Sequence, residues 1–241
     1  MQEITPEQAT ATPMPRIGDL APAFTAQTTQ GPINFPADYA GKWTILFSHP
    51  ADFTPVCTSE FMTFATMQDE FEAYNTQLVG LSIDGLYSHI AWLRTIKEKM
   101  VFRDMKNVEV TFPLIDDVSM NVASKYGMIM PGEATTQAVR AVFVIDPAGI
   151  IRTILYYPSA LGRNFDELLR VIKGLQTADA FDVALPADWQ PGEPVIVPPA
   201  GSCGTAEERM TNSGDDVECI DWFFCTKELS EQQVDAAIRV S

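Results

Sequence analysis

An apolar run from Trp43 to Ser48 ends at His49-Pro50, a short prolyl stretch follows, and Cys57 opens a segment with a helical apolar stripe. A strand that is apolar on successive residues is covered on both faces, so this run calls for a sheet with helices on either side. The same stretch delivers a thiol to a helix start. Orphan N–H groups and the positive end of the helix dipole there favour a thiolate over a thiol. A cysteine so placed can fall from a pKa of about 8.5 into the range of roughly 3.5–7.5. Position alone also allows a buried cysteine that acts as a small hydrophobe.

The rest of the chain fits a layered α/β architecture. Residues 1–15, rich in Thr, Pro, Gln and Ala without a period, read as a mobile arm, and Gly18–Phe24 starts the ordered part. Gly31–Phe35 reads as a short strand. A helix from Cys57 to Tyr74 carries Phe61, Phe64, Ala65, Met67, Phe71 and Tyr74 on one stripe. Gln77–Asp84 is a second buried strand. Ser88–Met100 is a helix with Ile90, Leu93 and Ile96 inward, Val110–Ile115 a strand interrupted by Pro113, and Ser119–Tyr126 a short helix closed by Gly127. Arg140–Asp146 and Ile150–Tyr157 flank a Pro147-Ala-Gly149 turn as a hairpin. Asn164 caps a helix through Leu175, with Glu167 completing a capping box. The order β-β-α-β-α-β-α-β-β-α gives a mixed sheet with helices on both faces, the arrangement of the thioredoxin fold.

Beyond about Asp179 the composition changes. Pro186, Pro191, Pro194, Pro198 and Pro199 exclude regular structure over residues 185–200, which therefore read as an extended arm, and residues 201–218 read as a loop. The aromatic stretch Cys219–Cys225 and a helix from Ser230 to Val240, with Gln233 completing its capping box, end the chain. Such an aromatic stretch needs cover, from its own domain or from a partner subunit. The domain reading is a flexible arm at 1–15, a thioredoxin-like domain at 16–180 and a C-terminal extension at 181–241.

Charge and cysteine usage narrow the chemistry. The net charge of −16 and the pI of about 4.4 repel phosphate backbones, so nucleic acid and anionic membranes are poor partners. No run is long enough to span a bilayer, and the N-terminus lacks the basic flank and apolar stretch of a secretory signal, so a reducing cytosol is the expected compartment. Four cysteines in that setting favour catalysis over a structural disulfide frame. Cys57, Cys203, Cys219 and Cys225 contain no C-x-x-C pair, and the two histidines, His49 and His89, lie far from the late cysteines. No metal site is expected from so thin a supply.

His49-Pro50-Ala-Asp-Phe-Thr54-Pro55-Val-Cys57-Thr-Ser-Glu60 resembles the peroxiredoxin signature P-x-x-x-T-x-x-C. The blocks Gly127–Glu133, Arg140–Asp146 and Tyr157–Asn164 are also similar to that family. The likeness runs over residues 16–240 and is nearest to the long-chain, one-cysteine subfamily, in particular its microbial members with a C-terminal cysteine pair. It implies a thiol-dependent peroxidase acting on hydrogen peroxide and small organic hydroperoxides, without metal, haem or flavin. On that resemblance Cys57 is the peroxidatic nucleophile and Thr54 offers its hydroxyl to thiolate and peroxide. Pro50 fixes the loop and shields the sulfur. Arg140 keeps the sulfur ionised and donates to the leaving oxygen. Arg163 is the second arginine, Glu60 orients the guanidiniums, and His49 lies beside the thiol. Cys219 is the favoured resolving thiol, reaching Cys57 of a partner subunit, and Cys225 then takes over the disulfide for a thioredoxin-like donor. The family implies homodimers that assemble into rings, a decamer or similar. Cys203 has no counterpart in the pattern. Lys42 stands where the animal members carry the serine of their lipase side activity, so that activity does not carry over. Three other readings remain. One is a one-cysteine peroxidase resolved by an external thiol. Another is a thioredoxin-like disulfide oxidoreductase, disfavoured by the missing C-x-x-C pair. The last, from a different class, is a redox-switched holdase or sensor scaffold.

Overall fold

In the computed structural model, residues 14–211 and 216–240 are described. Most of the expected N-terminal arm, and 212–215 of the expected loop, lie outside the described residues. The chain divides into two compact units, one of residues 1–65 with 78–162 and one of residues 66–77 with 163–241.

The first unit is built on a seven-stranded sheet. In chain order the elements are β1 (Phe24–Thr28), β2 (Gly31–Phe35), β3 (Trp43–Ser48), α1 (Pro55–Ala73), β4 (Thr76–Ser82), α2 (Leu86–Lys99), β5 (Val101–Phe102), β6 (Met105–Lys106), β7 (Leu114–Asp116), α3 (Asn121–Lys125), β8 (Arg140–Ile145) and β9 (Ile151–Tyr157). The sheet order is β2-β1-β7-β4-β3-β8-β9. β4 and β7 pair in parallel, whereas β3–β8 and β8–β9 are antiparallel, so the sheet is mixed as the sequence predicts. Every residue of β3 is buried. The first turns of α1 pack on this strand, with Phe47 stacked on Phe64 at 4.4 Å between centroids and edge-on to Phe61 at 5.7 Å. Phe112 and Trp92 extend the cluster. Pro55 occupies the first helical position of α1, where its fixed φ and missing N–H suit the helix start. Cys57 is thus the third residue of the helix rather than the first.

Three local expectations change. The buried face of α2 is His89, Trp92 and Ile96, and Ile90 is half exposed. Apolar periodicity misjudged the phase because a histidine with an acceptor inside the protein can take a core position. β7 is only Leu114–Asp116, since Pro113 has no N–H for the ladder ahead of it. The two-residue strands β5 and β6 form a small hairpin that no apolar pattern announced.

The second unit contains the end of α1, then α4 (Phe165–Phe181), β10 (Val195–Val197), α5 (Cys203–Thr211), β11 (Val217–Asp221), β12 (Phe224–Lys227) and α6 (Glu231–Ile238). Tyr74 anchors it. Its hydroxyl donates to Asp235 at 3.0 Å, its carbonyl accepts from Gln176 at 2.7 Å, and Lys173 and Arg239 lie over its ring. The proline-rich arm is not wholly irregular: β10 pairs with β12 in a three-stranded sheet ordered β10-β12-β11. The prolines sit outside the three residues that use the ladder, and Trp189, fully buried, donates to the carbonyl of Glu193. The expected loop at 201–218 holds α5 and the start of β11. α4 continues past Leu175 to Phe181 and closes on Asp182 at φ 51°. Asn164 accepts from the Glu167 amide as expected, but Glu167 spends its carboxylate on Arg170, so that capping box stays half made. Ser230 and Gln233 make the complete box, and α6 stops at Ile238, two residues before Val240. The aromatic stretch does not bury itself within the chain: Ile220, Trp222, Phe223 and Phe224 are all exposed, while Cys225 is buried.

The capping box makes Ser230→Ala a clean probe of the C-terminal helix. The variant should lose about 1 kcal/mol of stability in urea denaturation, and Ser230→Asp should lose little of it. Equal midpoints for Ser230→Ala and the parent would contradict the capping assignment.

Candidate active site

Cys57 is fully buried and reduced, in the first turn of α1. An Nη1 proton of Arg140 is donated to its sulfur at 3.3 Å, and Nη1 also donates to Glu60 Oε2 at 2.7 Å. The other edge of the guanidinium, Nε and Nη2, donates to the Ser159 carbonyl at 3.2 and 2.8 Å. Arg140 and Glu60 are each only 2 % exposed, so both charges depend on this pairing. The sequence places Arg140 at the first residue of β8, and the register explains the meeting. β8 is hydrogen-bonded to β3, and the chain leaving β3 at Ser48 turns through residues 49–54 into α1.

That turn is pinned along its length. The His49 amide donates to the Leu81 carbonyl at 2.9 Å and the Asp52 amide to Asp84 at 3.0 Å. Thr54 donates its hydroxyl hydrogen to the Ala51 carbonyl at 2.9 Å, and its own carbonyl accepts from both the amide and the hydroxyl of Thr58. Trp92 Nε1 donates to the Thr58 hydroxyl at 3.2 Å. Pro50 is buried within the turn, and Phe53 takes a left-handed φ of 55°.

Beneath the turn lies a buried ionisable trio. Asp52 contacts His49 Nε2 at 3.1 Å and His89 Nδ1 at 2.8 Å, and His89 Nε2 meets the Ile115 carbonyl at 3.1 Å. Both nitrogens of His89 thus face oxygen atoms. Burial works against the charge on Asp52, but the hydrogen bonds and charge of the two histidines outweigh it. Its carboxyl is held well below the usual carboxylate range. The His49 ring also packs at 4.8 Å from Phe61 and 5.1 Å from Trp92. His49, Asp52 and Asp84 bring possible metal ligands within 4.8 Å of one another. Their mutual hydrogen bonds, with Ser82 Oγ donating to Asp84, account for that proximity without an ion.

Of the residues singled out in the sequence, Cys57, Glu60 and Arg140 meet directly, and Thr54, Pro50 and His49 form the turn that precedes the sulfur. Arg163 is buried in the second unit. Cys219 and Cys225 face each other across β11 and β12 and are joined by a disulfide, while Cys203 is free and exposed at the start of α5. The sequence reading missed Asp52, His89, Glu133 and Ser159. An aspartate three residues after His49 was a usable signal. Ser159 acts through its backbone carbonyl, which no side-chain pattern can announce.

A buried thiol under a paired guanidinium, at the start of a helix fed by a central strand, is an arrangement suited to thiol-based redox chemistry. The profile of the AhpC/TSA family matches residues 17–154, and that of the C-terminal domain of 1-Cys peroxiredoxin matches residues 174–212. A peroxiredoxin of Methanosarcina mazei is 60% identical over 219 residues, 91% of this chain and 100% of the relative. Among solved structures, a yeast mitochondrial 1-Cys peroxiredoxin is 41% identical with a TM-score of 0.77, covering 90% of this chain and 100% of its own. The peroxiredoxin 6 of Arenicola marina is 32% identical with a TM-score of 0.76, covering 88% and 97%. The chain belongs to the peroxiredoxin family, thiol peroxidases with the thioredoxin-like fold.

The Asp52 trio gives a pH signature. Because the folded carboxyl is easier to ionise than the unfolded one, its stabilisation is full above about pH 4 and is lost as the pH falls below that. Asp52→Asn should be less stable by about 3–5 kcal/mol at pH 7, and the gap to the parent should narrow steadily on acidification. Urea midpoints measured from pH 7 down to pH 3 test this, and a gap that stays constant would contradict it.

Proposed function

We propose that Cys57 reduces hydrogen peroxide and small organic hydroperoxides as the peroxidatic thiolate, and that the contact from Arg140 to its buried sulfur carries this reading. The thiolate sulfur attacks one peroxide oxygen, the O–O bond breaks, and the other oxygen leaves with the bonding pair. The proton of the attacked oxygen ends on the leaving one, giving water or an alcohol and a Cys57 sulfenate, which takes a proton from solvent to become the sulfenic acid. Charge moves from sulfur to the leaving oxygen, so the donors must span both positions. Among the described residues, Arg140 commits four of its five N–H groups to Cys57, Glu60 and Ser159. The remaining Nη2 hydrogen is available to the peroxide. Thr54 has given its hydrogen to Ala51, so its oxygen is left to accept from a peroxide O–H. Glu60 orients Arg140, Pro50 keeps water from the sulfur, and His49 supports the peroxide pocket.

Resolution follows the C-terminal pair. The Cys219 thiolate of a partner subunit attacks the sulfenic sulfur and expels hydroxide, forming a Cys57–Cys219 disulfide. The Cys225 thiolate then attacks Cys219 and releases Cys57 as a thiolate. The Cys219–Cys225 disulfide is the product of that exchange, and a thioredoxin-like dithiol would reduce it. Exposed Ile220, Trp222, Phe223 and Phe224 favour a homodimer, with ring assembly beyond it. No helix among the described residues is long and apolar enough to cross a membrane, and a reducing compartment such as the cytosol suits a thiol that must be reset. One observation favours a second reading. The yeast relative, a 1-Cys peroxiredoxin, is resolved through glutathione and thioredoxin systems, and an external thiol could serve Cys57 here in the same way.

Cys57→Ser should abolish peroxide consumption, and turnover at the parent rate would overturn the peroxidase reading. After one equivalent of peroxide, non-reducing gels of the pre-reduced protein should show a Cys57–Cys219 dimer, most clearly in Cys225→Ser. A dimer undiminished in Cys219→Ser would remove that residue from the resolving step. Unchanged turnover of the Cys219→Ser, Cys225→Ser double variant with glutathione would establish the external-thiol route.

A further inference from the structure

Arg140 stands between two anions. Glu60 is a compact carboxylate at 2.7 Å, and Cys57 is a larger, softer acceptor at 3.3 Å. A guanidinium free to tilt would favour the carboxylate, the stronger hydrogen-bond acceptor, and desert the sulfur. What prevents the tilt is the opposite edge of the plane, fixed by two bonds to one backbone oxygen, Ser159 O. Ser159 lies beyond the last residue of β9. Arg140 is in register with Tyr157, and the strand ladder ends there. Only a weak turn, Leu161 N to Pro158 O at 3.2 Å, belongs to the segment itself.

Among the described residues, the remaining hold on Ser159 is Glu133. Its Oε1 accepts both the Ser159 amide at 2.8 Å and the Ser159 hydroxyl at 2.6 Å. Those two bonds hold the Glu133 carboxyl below its ordinary range. Glu133 itself comes from the turn after α3, where its amide and that of Ala134 both donate to the Met130 carbonyl. A continuous path therefore runs from an exposed carboxylate, through one serine backbone, to the guanidinium on the reactive sulfur.

We propose that Glu133 is a positioning residue for the peroxidase reaction: by clamping Ser159 it sets the plane of Arg140 so that Nη1 serves Cys57 and Glu60 together. This rests on the reading of Cys57 as the peroxidatic thiolate. Glu133 touches no reacting atom, and its exposure makes a folding defect on substitution a small matter. Glu133→Ala removes the clamp, whereas Glu133→Gln keeps a side-chain carbonyl that can accept from both Ser159 donors.

The test is a titration of the thiolate absorbance at 240 nm, taken as the difference from the matching Cys57→Ser protein, together with kcat/KM for hydrogen peroxide. Loss of one such hydrogen-bonded support should move the titration midpoint of Glu133→Ala upward by about 0.5–1 pH unit. It should lower kcat/KM by about three- to tenfold. Glu133→Gln should restore both to within about twofold of the parent, since an amide oxygen replaces the lost acceptor. A merely structural residue would lower the melting temperature and leave the midpoint in place. An unmoved midpoint in Glu133→Ala, or a Glu133→Gln protein as impaired as Glu133→Ala, overturns the proposal. The absorbance reads the thiolate whether or not peroxide is consumed. Failure of the peroxidase reading would therefore show separately, as parent turnover that does not depend on Cys57.

Discussion

The arrangement depends on one buried guanidinium. A charge on Arg140 at the first residue of a core strand is tolerable only if it is paired and hydrogen-bonded, and the chain answers four of its five N–H groups with a sulfur, a carboxylate and a backbone carbonyl. Each partner comes from a different place. Cys57 and Glu60 lie three residues apart on the first turns of α1, and Ser159 lies past the end of β9. The sheet order brings β3, β8 and β9 side by side, and the distances follow from that. The fold can be read as the means of holding these groups at the mouth of β3.

A second buried charge system supports the first. Asp52 with His49 and His89 ties the turn before Cys57 to α2 and to the carbonyl of β7. Together with the Thr54–Thr58–Trp92 chain of hydrogen bonds, it fixes the path by which β3 enters α1. That entry angle sets where Cys57 meets the Arg140 guanidinium. The C-terminal unit carries a disulfide hairpin and an exposed aromatic tip.

The sequence made legible whatever relied on side chains in a pattern. The apolar run of β3, the cysteine after it, the β8–β9 hairpin and the Ser230 capping box all announce themselves by residue type and spacing. Arg140 was legible as a charge at a strand start, and Glu60 as its partner through the family motif. Where polar groups took core positions, the pattern misled. His89 turned the phase of α2, because a histidine between a carboxylate and a carbonyl is as well buried as an isoleucine. Where backbone atoms do the work, nothing could be read: the Ser159 carbonyl has no sequence signature. The proline-rich segment shows the remaining kind of error. Prolines at 194, 198 and 199 bracket Val195–Val197 and leave those three residues free to pair with β12.

The measurement that bears most directly on this account is the single-turnover rate of Cys57 oxidation, followed by stopped-flow fluorescence with hydrogen peroxide, in the parent and in Arg140→Gln. If the guanidinium stabilises both the thiolate and the developing charge on the leaving oxygen, the variant should react at least about 100-fold more slowly at pH 7. Raising the pH to ionise the thiol should recover only part of that loss, because the donor to the leaving oxygen is still missing. Oxidation of Arg140→Gln at the parent rate at pH 7 would contradict the account.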